Sequence, residues 1–157
     1  MRKVAFNNLS KTEQALLTSA REAMEGAYNP YSRFFVGAAL LMKDGSIVTG
    51  CNCENASYAL TICAERAAIA RAFSAGQRVV TRVAIIGRGA NAPLRDVISP
   101  CGMCRQMLFE CSQLTGRPIK VLLASTDMRK IVMTDTDELL PLGFGPRTLG
   151  LNIDRFR

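Results

Sequence analysis

A continuous apolar run from Phe34 to Met42 does most to limit the folds open to this chain. Its length and its lack of polar alternation are typical of a β-strand that is buried on both faces. Lys43-Asp44-Gly45 follows as a hairpin signal, and the segment from Ser46 to Gly50 is expected to pair back on the first strand. Such a strand needs covering layers on both sides of its sheet.

Amphipathic segments with helix start and stop signals provide those layers. The first helix is expected to begin at a capping box, Ser10 to Glu13, and to run for about 16 residues before Asn29-Pro30 stops the chain. The second is expected from about Thr61 to Ala75 and the third from about Cys101 to Leu114. Pro100 is expected in the first turn of the third helix, where a missing N–H does no harm.

Three further strands complete the pattern, and they are expected at Val79–Ile86, Pro118–Ala124 and Lys130–Met133. The order α-β-β-α-β-α-β-β predicts an α/β fold. It is expected to be a three-layer α-β-α sandwich around a mixed sheet of about five strands. The chain has 157 residues and no internal repeat or linker, so a single domain spanning residues 1–157 is expected.

The chain contains six Cys and no His, which excludes several kinds of active site. A Ser-His-Asp triad, a Cys-His dyad and imidazole ligands for zinc cannot form within it. Proton transfer near neutral pH then requires a carboxylate, Lys, Tyr or Cys with a shifted pKa. No secretory signal or membrane-spanning run is present in the sequence, so we expect a cytoplasmic protein with reduced thiols and no membrane partner.

A formal net charge of +7 raises the question of a nucleic-acid partner. The Lys and Arg residues are scattered along the chain, Trp is absent and there are only three Tyr. A surface for stacking bases would therefore have few candidates beyond Phe. The charge is interpreted as a solubility feature, and no nucleic-acid partner is expected.

Two cysteine motifs at predicted helix starts, Cys63-Ala64-Glu65 and Pro100-Cys101-Gly102-Met103-Cys104, are the strongest functional signal. Cys101 and Cys104 share one face of a helical turn, and helix N-termini favour thiolates. Three thiolates leave the fourth tetrahedral position of Zn²⁺ open for water, which is the pattern of a catalytic zinc site. Glu65 is the leading candidate for the group that takes a proton from that water. Zinc deaminases combine these features.

On these and further segments, the chain resembles the small, homotetrameric cytidine deaminases of pyrimidine salvage. The resemblance implies a cytidine deaminase-like fold, one Zn²⁺ per subunit, and active sites shared between subunits. The matching segments, in chain order, are Asn29-Pro30-Tyr31-Ser32, Phe34-Phe35-Val36-Gly37-Ala38, Gly50 to Tyr58, Thr61 to Arg66, Ser99 to Gln106, Glu138-Leu139-Leu140-Pro141 and Phe144-Gly145-Pro146.

The resemblance implies a role for each residue of the zinc motifs. Cys63, Cys101 and Cys104 would be the zinc ligands, and Glu65 would be the proton shuttle. Arg66 matches an arginine that hydrogen-bonds the thiolates. Three thiolates on Zn²⁺ leave a net negative charge, which a nearby guanidinium would offset.

The resemblance also implies a set of substrate-binding residues outside those motifs. Asn52 and Glu54 match the pair that binds the ribose hydroxyls, and Phe34 matches the aromatic residue that packs against the base. Ala64 belongs to the same set. Phe144 matches a C-terminal phenylalanine that enters the active site of a neighbouring subunit.

The implied activity is hydrolysis of cytidine and 2′-deoxycytidine to uridine and 2′-deoxyuridine plus ammonia, with zinc-bound hydroxide attacking C4 and Glu65 as proton shuttle. Three alternatives stay open: a deaminase acting on nucleic acid, a nucleoside-antibiotic deaminase similar to blasticidin-S deaminase, and a closed structural zinc module. The last would use Cys51 or Cys53 as a fourth ligand. Otherwise Cys51, Cys53 and Cys111 are interpreted as buried or semi-buried thiols without a role.

Overall fold

A mixed sheet of six strands forms the centre of the structure, a computed structural model that describes residues 1–157. The strands are β1 (Arg2–Lys3), β2 (Phe35–Met42), β3 (Ile47–Cys51), β4 (Val80–Arg88), β5 (Lys120–Ala124) and β6 (Ile131–Asp135). Their order across the sheet is β1-β6-β5-β4-β2-β3. The β4–β5 pair is parallel, and all other neighbouring pairs are antiparallel.

Helices cover both faces of this sheet. They are α1 (Lys11–Met24), α2 (Ala64–Ser74), α3 (Gly102–Thr115) and the single turn α4 (Thr136–Leu139). One face packs against α1, and the opposite face packs against α2 and α3. The predicted α-β-α sandwich is therefore confirmed. None of the helices combines the length and the apolar composition that a membrane crossing requires.

The sheet has six strands rather than about five, because a two-residue strand at the N-terminus adds to its edge. Arg2 pairs with Met133 and Lys3 pairs with Val132 on β6. Two residues are too few to show a period-2 pattern, so the sequence contains no signal for this strand. The addition of β1, which was not predicted from the sequence, leaves the three predicted layers unchanged.

Both helices that carry the cysteine motifs begin later than predicted. Ile62 exchanges two backbone hydrogen bonds with a neighbouring extended segment, so α2 begins at Ala64 rather than near Thr61. The third helix begins at Gly102, one residue later than expected. Pro100 thus lies before the N-cap rather than in the first turn, and the prediction for it was wrong.

The strand β2, which lies between β4 and the edge strand β3, is buried on both faces, as its apolar run indicates. Ala38 and Leu40 belong to a cluster of 16 buried residues beneath α2 and α3. Ala39 and Leu41 point the other way, into a cluster of 14 buried residues beneath α1. Because side chains alternate along a strand, one continuous apolar run supplies both cores.

Glycines allow the helices to lie directly on the sheet backbone. A Cβ atom on Gly37 would overlap Ala20 O in α1, and one on Gly50 would overlap Ala68 N and lie 2.7 Å from Ala64 O in α2. Gly50 therefore sets how closely the first turn of α2 approaches β3. That turn carries functional residues, so the contact fixes their depth against the sheet.

Candidate active site

Three cysteine sulfurs converge where α2 and α3 begin. Cys63 is the N-cap of α2, Cys101 is the N-cap of α3, and Cys104 lies in the first turn of α3. The three sulfur atoms all lie within 4.8 Å of one another, and the sulfurs of Cys63 and Cys101 are 3.9 Å apart. Packing of both helices on one face of the sheet brings these distant segments together.

Two of the three thiols, Cys63 and Cys104, differ in how readily they lose a proton. A hydrogen bond from Cys104 lowers the pKa of Cys63 to about 6, with Cys101 and the positive charge of Arg66 adding to the shift and burial opposing it. The same hydrogen bond, together with burial, raises the pKa of Cys104. One thiolate therefore forms readily, whereas three adjacent thiolates require a cation among them.

This donor set fits a zinc ion. Soft sulfur donors suit Zn²⁺, and a tetrahedral ion with Zn–S bonds of about 2.3 Å places its sulfurs about 3.8 Å apart. The 3.9 Å between Cys63 and Cys101 matches that spacing. Neither Cys51 nor Cys53 belongs to the cluster, so the fourth position is not taken by another cysteine of this chain. Three protein ligands are the pattern of catalytic zinc.

Glu65 lies beside the sulfurs as the second residue of α2. It is only 4% exposed, and burial raises the pKa of its carboxyl, with the negative charge of Cys63 acting in the same direction. A buried carboxyl with a raised pKa can both accept and return a proton near neutral pH. Position and environment therefore suit Glu65 for proton transfer.

A cavity of about 530 Å³ opens onto this group. Its lining contains no Lys or Arg. The residues predicted from the sequence that line it are Phe34, Asn52, Glu54, Cys63, Ala64, Glu65 and Cys101. The third cysteine, Cys104, is fully buried behind them.

Asn52 holds the start of β2 against the cavity. Its Oδ1 accepts a hydrogen bond from Val36 N, and its Nδ2 donates to Phe34 O, both at 2.8 Å. The side chain is 8% exposed, so these bonds are shielded from water. One amide N–H is left for a ligand, and Phe34 is fixed in place by the other.

Glu54 accepts two backbone hydrogen bonds through one carboxylate oxygen. Its Oε2 lies 2.9 Å from Tyr31 N and 3.2 Å from Ser32 N. Hydrogen bonding from the Ser32 hydroxyl and from these N–H groups lowers the pKa of Glu54, although burial opposes the shift. The carboxylate is therefore ionised at neutral pH, and its Oε1 has no protein partner.

Comparison with known proteins decides the family. The model described as "Cytidine and deoxycytidylate deaminase zinc-binding region" matches residues 10–115. This chain belongs to that deaminase family. The cytidine deaminase of Halalkalibacterium halodurans is 47% identical over 133 residues, which cover 83% of this chain and 92% of the relative. That of Sporosarcina psychrophila is 45% identical over 137 residues, covering 87% and 93%.

Solved structures agree with this membership of the deaminase family. The crystal structure of cytidine deaminase from Burkholderia pseudomallei has a TM-score of 0.75 and 38% sequence identity to this chain. The match covers 87% of this chain and all of that one. A cytidine deaminase from Mycobacterium tuberculosis gives a TM-score of 0.67 at 38% identity, over 85% and 97% of the two chains.

Two residues that the family resemblance singled out lie outside the cavity of their own chain. Phe144 is 58% exposed, and its carbonyl accepts a hydrogen bond of 2.7 Å from Gln106 Nε2. Arg66 makes no hydrogen bond to a sulfur in this structure, and it acts on Cys63 through its charge. The other three cysteines are free thiols away from the cluster. Cys111 is buried and Cys51 is half-buried, as expected, but Cys53 is exposed, so the prediction for it was wrong.

No individual role was assigned from the sequence to several residues of this deaminase site, although most of them lie in the matching segments. Their signals were weak, because each is an ordinary strand or loop residue that tertiary structure brings to the cavity. The cavity-lining residues not singled out are Ser32, Val36, Thr61, Ile98 and Ser99. Arg105, which contacts the segment before Cys101, was missed as well.

Proposed function

We propose that this protein is a zinc-dependent hydrolase of pyrimidine salvage. It converts cytidine and 2′-deoxycytidine to uridine and 2′-deoxyuridine and releases ammonia. The observation that carries the proposal is the buried carboxyl of Glu65 beside three convergent sulfurs, in a cavity large enough for a nucleoside. Relatives with nearly half of their residues identical are named cytidine deaminases.

The proposed mechanism assigns proton transfer to one residue. Zinc held by Cys63, Cys101 and Cys104 supplies Lewis acidity, which makes water a stronger acid. Glu65 accepts a proton from the water that adds to C4 of the base. It delivers this proton to N3, takes the second proton from the hydroxyl now bound to C4, and passes that proton to the amino nitrogen. The C4–N bond then breaks, C4 becomes a carbonyl, and ammonia leaves. The raised pKa of Glu65 lets its carboxyl hold the proton between these steps.

The charge of the cavity favours a neutral nucleoside as the substrate. The lining lacks Lys and Arg, and it contains the ionised carboxylate of Glu54. A phosphate group entering this cavity would meet a like charge and no counter-charge. Ribose hydroxyls, by contrast, can donate to the free Oε1 of Glu54. This argues against a nucleotide or a nucleic acid as the substrate.

The test is a cytidine turnover assay with zinc content measured on the same sample. The purified protein should release ammonia from cytidine and from 2′-deoxycytidine. Glu65→Gln should reduce kcat by about 10²- to 10⁴-fold while zinc is retained, because only proton transfer is removed. Glu22→Gln, on the exposed face of α1, is the matched control and should retain activity. Full activity in Glu65→Gln would contradict the assigned role.

We also infer a cytoplasmic homotetramer in which Phe144 completes the cavity of a neighbouring subunit. Phe144 is exposed and absent from its own cavity lining. Tyr58 and Leu60 are likewise more than half exposed, which leaves apolar surface for a second copy to cover. All six cysteines are free, in keeping with a reducing compartment.

A further inference from the structure

One arginine joins three segments around the sulfur cluster. Arg105 follows Cys104 in α3, and its guanidinium makes three hydrogen bonds. Nε donates to Pro100 O at 2.9 Å, Nη2 donates to Ser99 Oγ at 2.9 Å, and Nη1 donates to Leu139 O at 3.2 Å. Two of these acceptors belong to the residues that immediately precede the N-cap cysteine of α3.

We propose that Arg105 is a positioning residue for the metal centre. It fixes the backbone that carries Cys101 at the separation from Cys104 at which both sulfurs can reach one ion. The inference rests on the proposed use of Cys101 as a ligand.

The segment before Cys101 has few other polar anchors. The Cys101 side chain makes no capping hydrogen bond, and the residue itself is exposed. Pro100 has no N–H to donate. The carbonyl of Pro100 and the hydroxyl of Ser99 therefore depend on Arg105 for their protein contacts. Without these bonds, the N-cap cysteine would be free to shift against the helix behind it.

The geometry requires arginine rather than a general positive charge. Arg105 forms no salt bridge, and its three acceptors are neutral oxygens on chain segments about 40 residues apart. A planar guanidinium offers donors in several fixed directions, whereas a lysine ammonium is a compact point. The bond to Leu139 O also satisfies a carbonyl at the end of α4, where no intrahelical partner is available.

Zinc affinity of the folded protein is the decisive measurement. Zinc-loaded parent protein, Arg105→Gln and Arg105→Lys are titrated with a chromophoric chelator at fixed pH. The zinc dissociation constant should rise by about 10- to 100-fold in Arg105→Gln, and Arg105→Lys should recover little of the loss. Arg71→Gln is the matched control, since Arg71 is an exposed helical arginine with one 3.4 Å bond to Thr49 O. Its zinc affinity should equal that of the parent.

A spectroscopic measurement separates positioning from general support of the fold. In Co²⁺-substituted protein, Arg105→Gln should change the sulfur-to-cobalt charge-transfer bands, because the ligand geometry changes. If Arg105 only supports the fold, the variant would lower the Tm of the metal-free protein and leave zinc affinity and cobalt bands unchanged. That result would overturn the proposal.

Two further variants cover the remaining outcomes. Ser99→Ala removes one of the three acceptors and should weaken zinc binding in the same direction by a smaller factor. Ser99→Ala replaces Arg105→Gln in the titration if Arg105→Gln does not fold. Zinc affinity equal to that of the parent in both Ser99→Ala and Arg105→Lys would overturn the proposal. Cys101→Ser tests the ligand itself. If Cys101→Ser leaves zinc affinity unchanged, the assignment of Cys101 as a ligand fails. If Cys101→Ser weakens zinc binding but the Arg105 variants do not, only the role of Arg105 is rejected.

Discussion

The side chains of Asn52 and Glu54 make most of their hydrogen bonds to backbone groups of the protein itself. Asn52 hydrogen-bonds two backbone groups at the start of β2, and one oxygen of Glu54 accepts hydrogen bonds from two backbone N–H groups. Each side chain is buried, and each keeps one polar group for a ligand. Because both are held before any substrate arrives, little side-chain entropy remains to be lost on binding.

Glu54→Gln tests the hydrogen bond proposed between this residue and the ribose. The neutral amide replaces a charge-assisted acceptor, so KM for cytidine should rise by roughly tenfold or more, with a smaller effect on kcat. Steady-state kinetics with cytidine measure this split. The exposed Glu22→Gln variant should behave as the parent protein. An unchanged KM would show that the free oxygen of Glu54 does not bind the substrate.

At the level of residues, the sequence indicated which side chains could bind a metal or transfer a proton. It did not indicate which residues hold those side chains in position. Cys63, Cys101, Cys104 and Glu65 are recognisable because their residue types and spacing are themselves the chemical signal. The contacts of Arg105 could not be predicted in this way, because two of its acceptors are backbone carbonyls. Any residue type offers such a carbonyl, so only the fold determines which ones lie within reach.

At the level of elements, the capping box of α1 extends into the sheet. Ser10 Oγ accepts from Glu13 N, and Glu13 Oε2 accepts from Ser10 N at 3.0 Å. Glu13 Oε1 also accepts from Arg82 Nε on β4 at 3.3 Å. Burial tends to raise the pKa of Glu13, but the bonds from Ser10 and the charge of Arg82 together lower it. The ionised form therefore stabilises the folded state.

Glu13→Gln should destabilise the protein in a pH-dependent way. The stabilisation by Glu13 is present above its ordinary pKa of 4.5 and is lost as the pH falls through the lower folded-state pKa. We expect a loss of about 1 kcal/mol in the free energy of unfolding near pH 7, shrinking towards zero as the pH falls through the lowered folded-state pKa of Glu13. Urea unfolding of parent and variant, at neutral pH and over a series of acidic pH values, measures it. A constant difference would reject the ionic contribution.

Gly50→Ala should disturb the site through the position of a whole helix. The new Cβ atom would overlap the backbone of α2 at Ala68, so the helix that presents Cys63 and Glu65 must move off β3. We expect a loss of about 3 kcal/mol in unfolding free energy, together with weaker zinc binding. Denaturant unfolding and chelator competition measure these effects.

Gly102→Ala is the matched control for that substitution. Gly102 lies between two of the cysteines, yet a Cβ atom there has no neighbour within 4 Å. Alanine at this helical position should be neutral or slightly stabilising. If both variants lose stability and zinc equally, proximity to the cysteines explains the effect rather than the packing of α2.

The sequence predicted the presence of the helices more accurately than the residues at which they begin and end. The capping box located the start of α1 to within a residue, because it is a local hydrogen-bonding signal. The end of α1 at Met24 comes earlier than the stop predicted at Asn29-Pro30. The start of α2 depends on the pairing of Ile62 with Cys53, nine residues earlier, and helix propensity carries no information on that contact.

At the level of the whole molecule, the layers followed from the order of elements, whereas the sheet order did not. Burial of β2 on both faces and the alternation of helices and strands predict a covered mixed sheet. The parallel β4–β5 pair and the N-terminal edge strand depend on long-range pairing.

If active sites are shared between subunits, as proposed, two impaired variants should complement each other. Phe144→Ala should lower activity by removing a side chain from the neighbour's cavity, and Glu65→Gln should be inactive in its own cavity. In mixed oligomers, an intact Glu65 from the first variant meets an intact Phe144 from the second, so part of the activity should return. Co-expression with two affinity tags, purification over both and a cytidine assay measure this.

The result would distinguish the two arrangements directly. If Phe144 acts within its own chain, no mixed oligomer contains a complete site and the activity stays at the level of the Phe144→Ala protein. Light scattering on the same samples reports the assembly. A monomer in solution would contradict the inferred tetramer.

The separation of the sulfur ligands along the chain bears on the order in which the protein is built. Cys63 and Cys101 are 38 residues apart, and closing a loop of that length in an unfolded chain costs entropy. The buried apolar cluster beneath α2 and α3 opposes that cost without drawing on the sulfurs. We therefore expect folding to assemble the thiols and the metal to load late in maturation, rather than to nucleate folding.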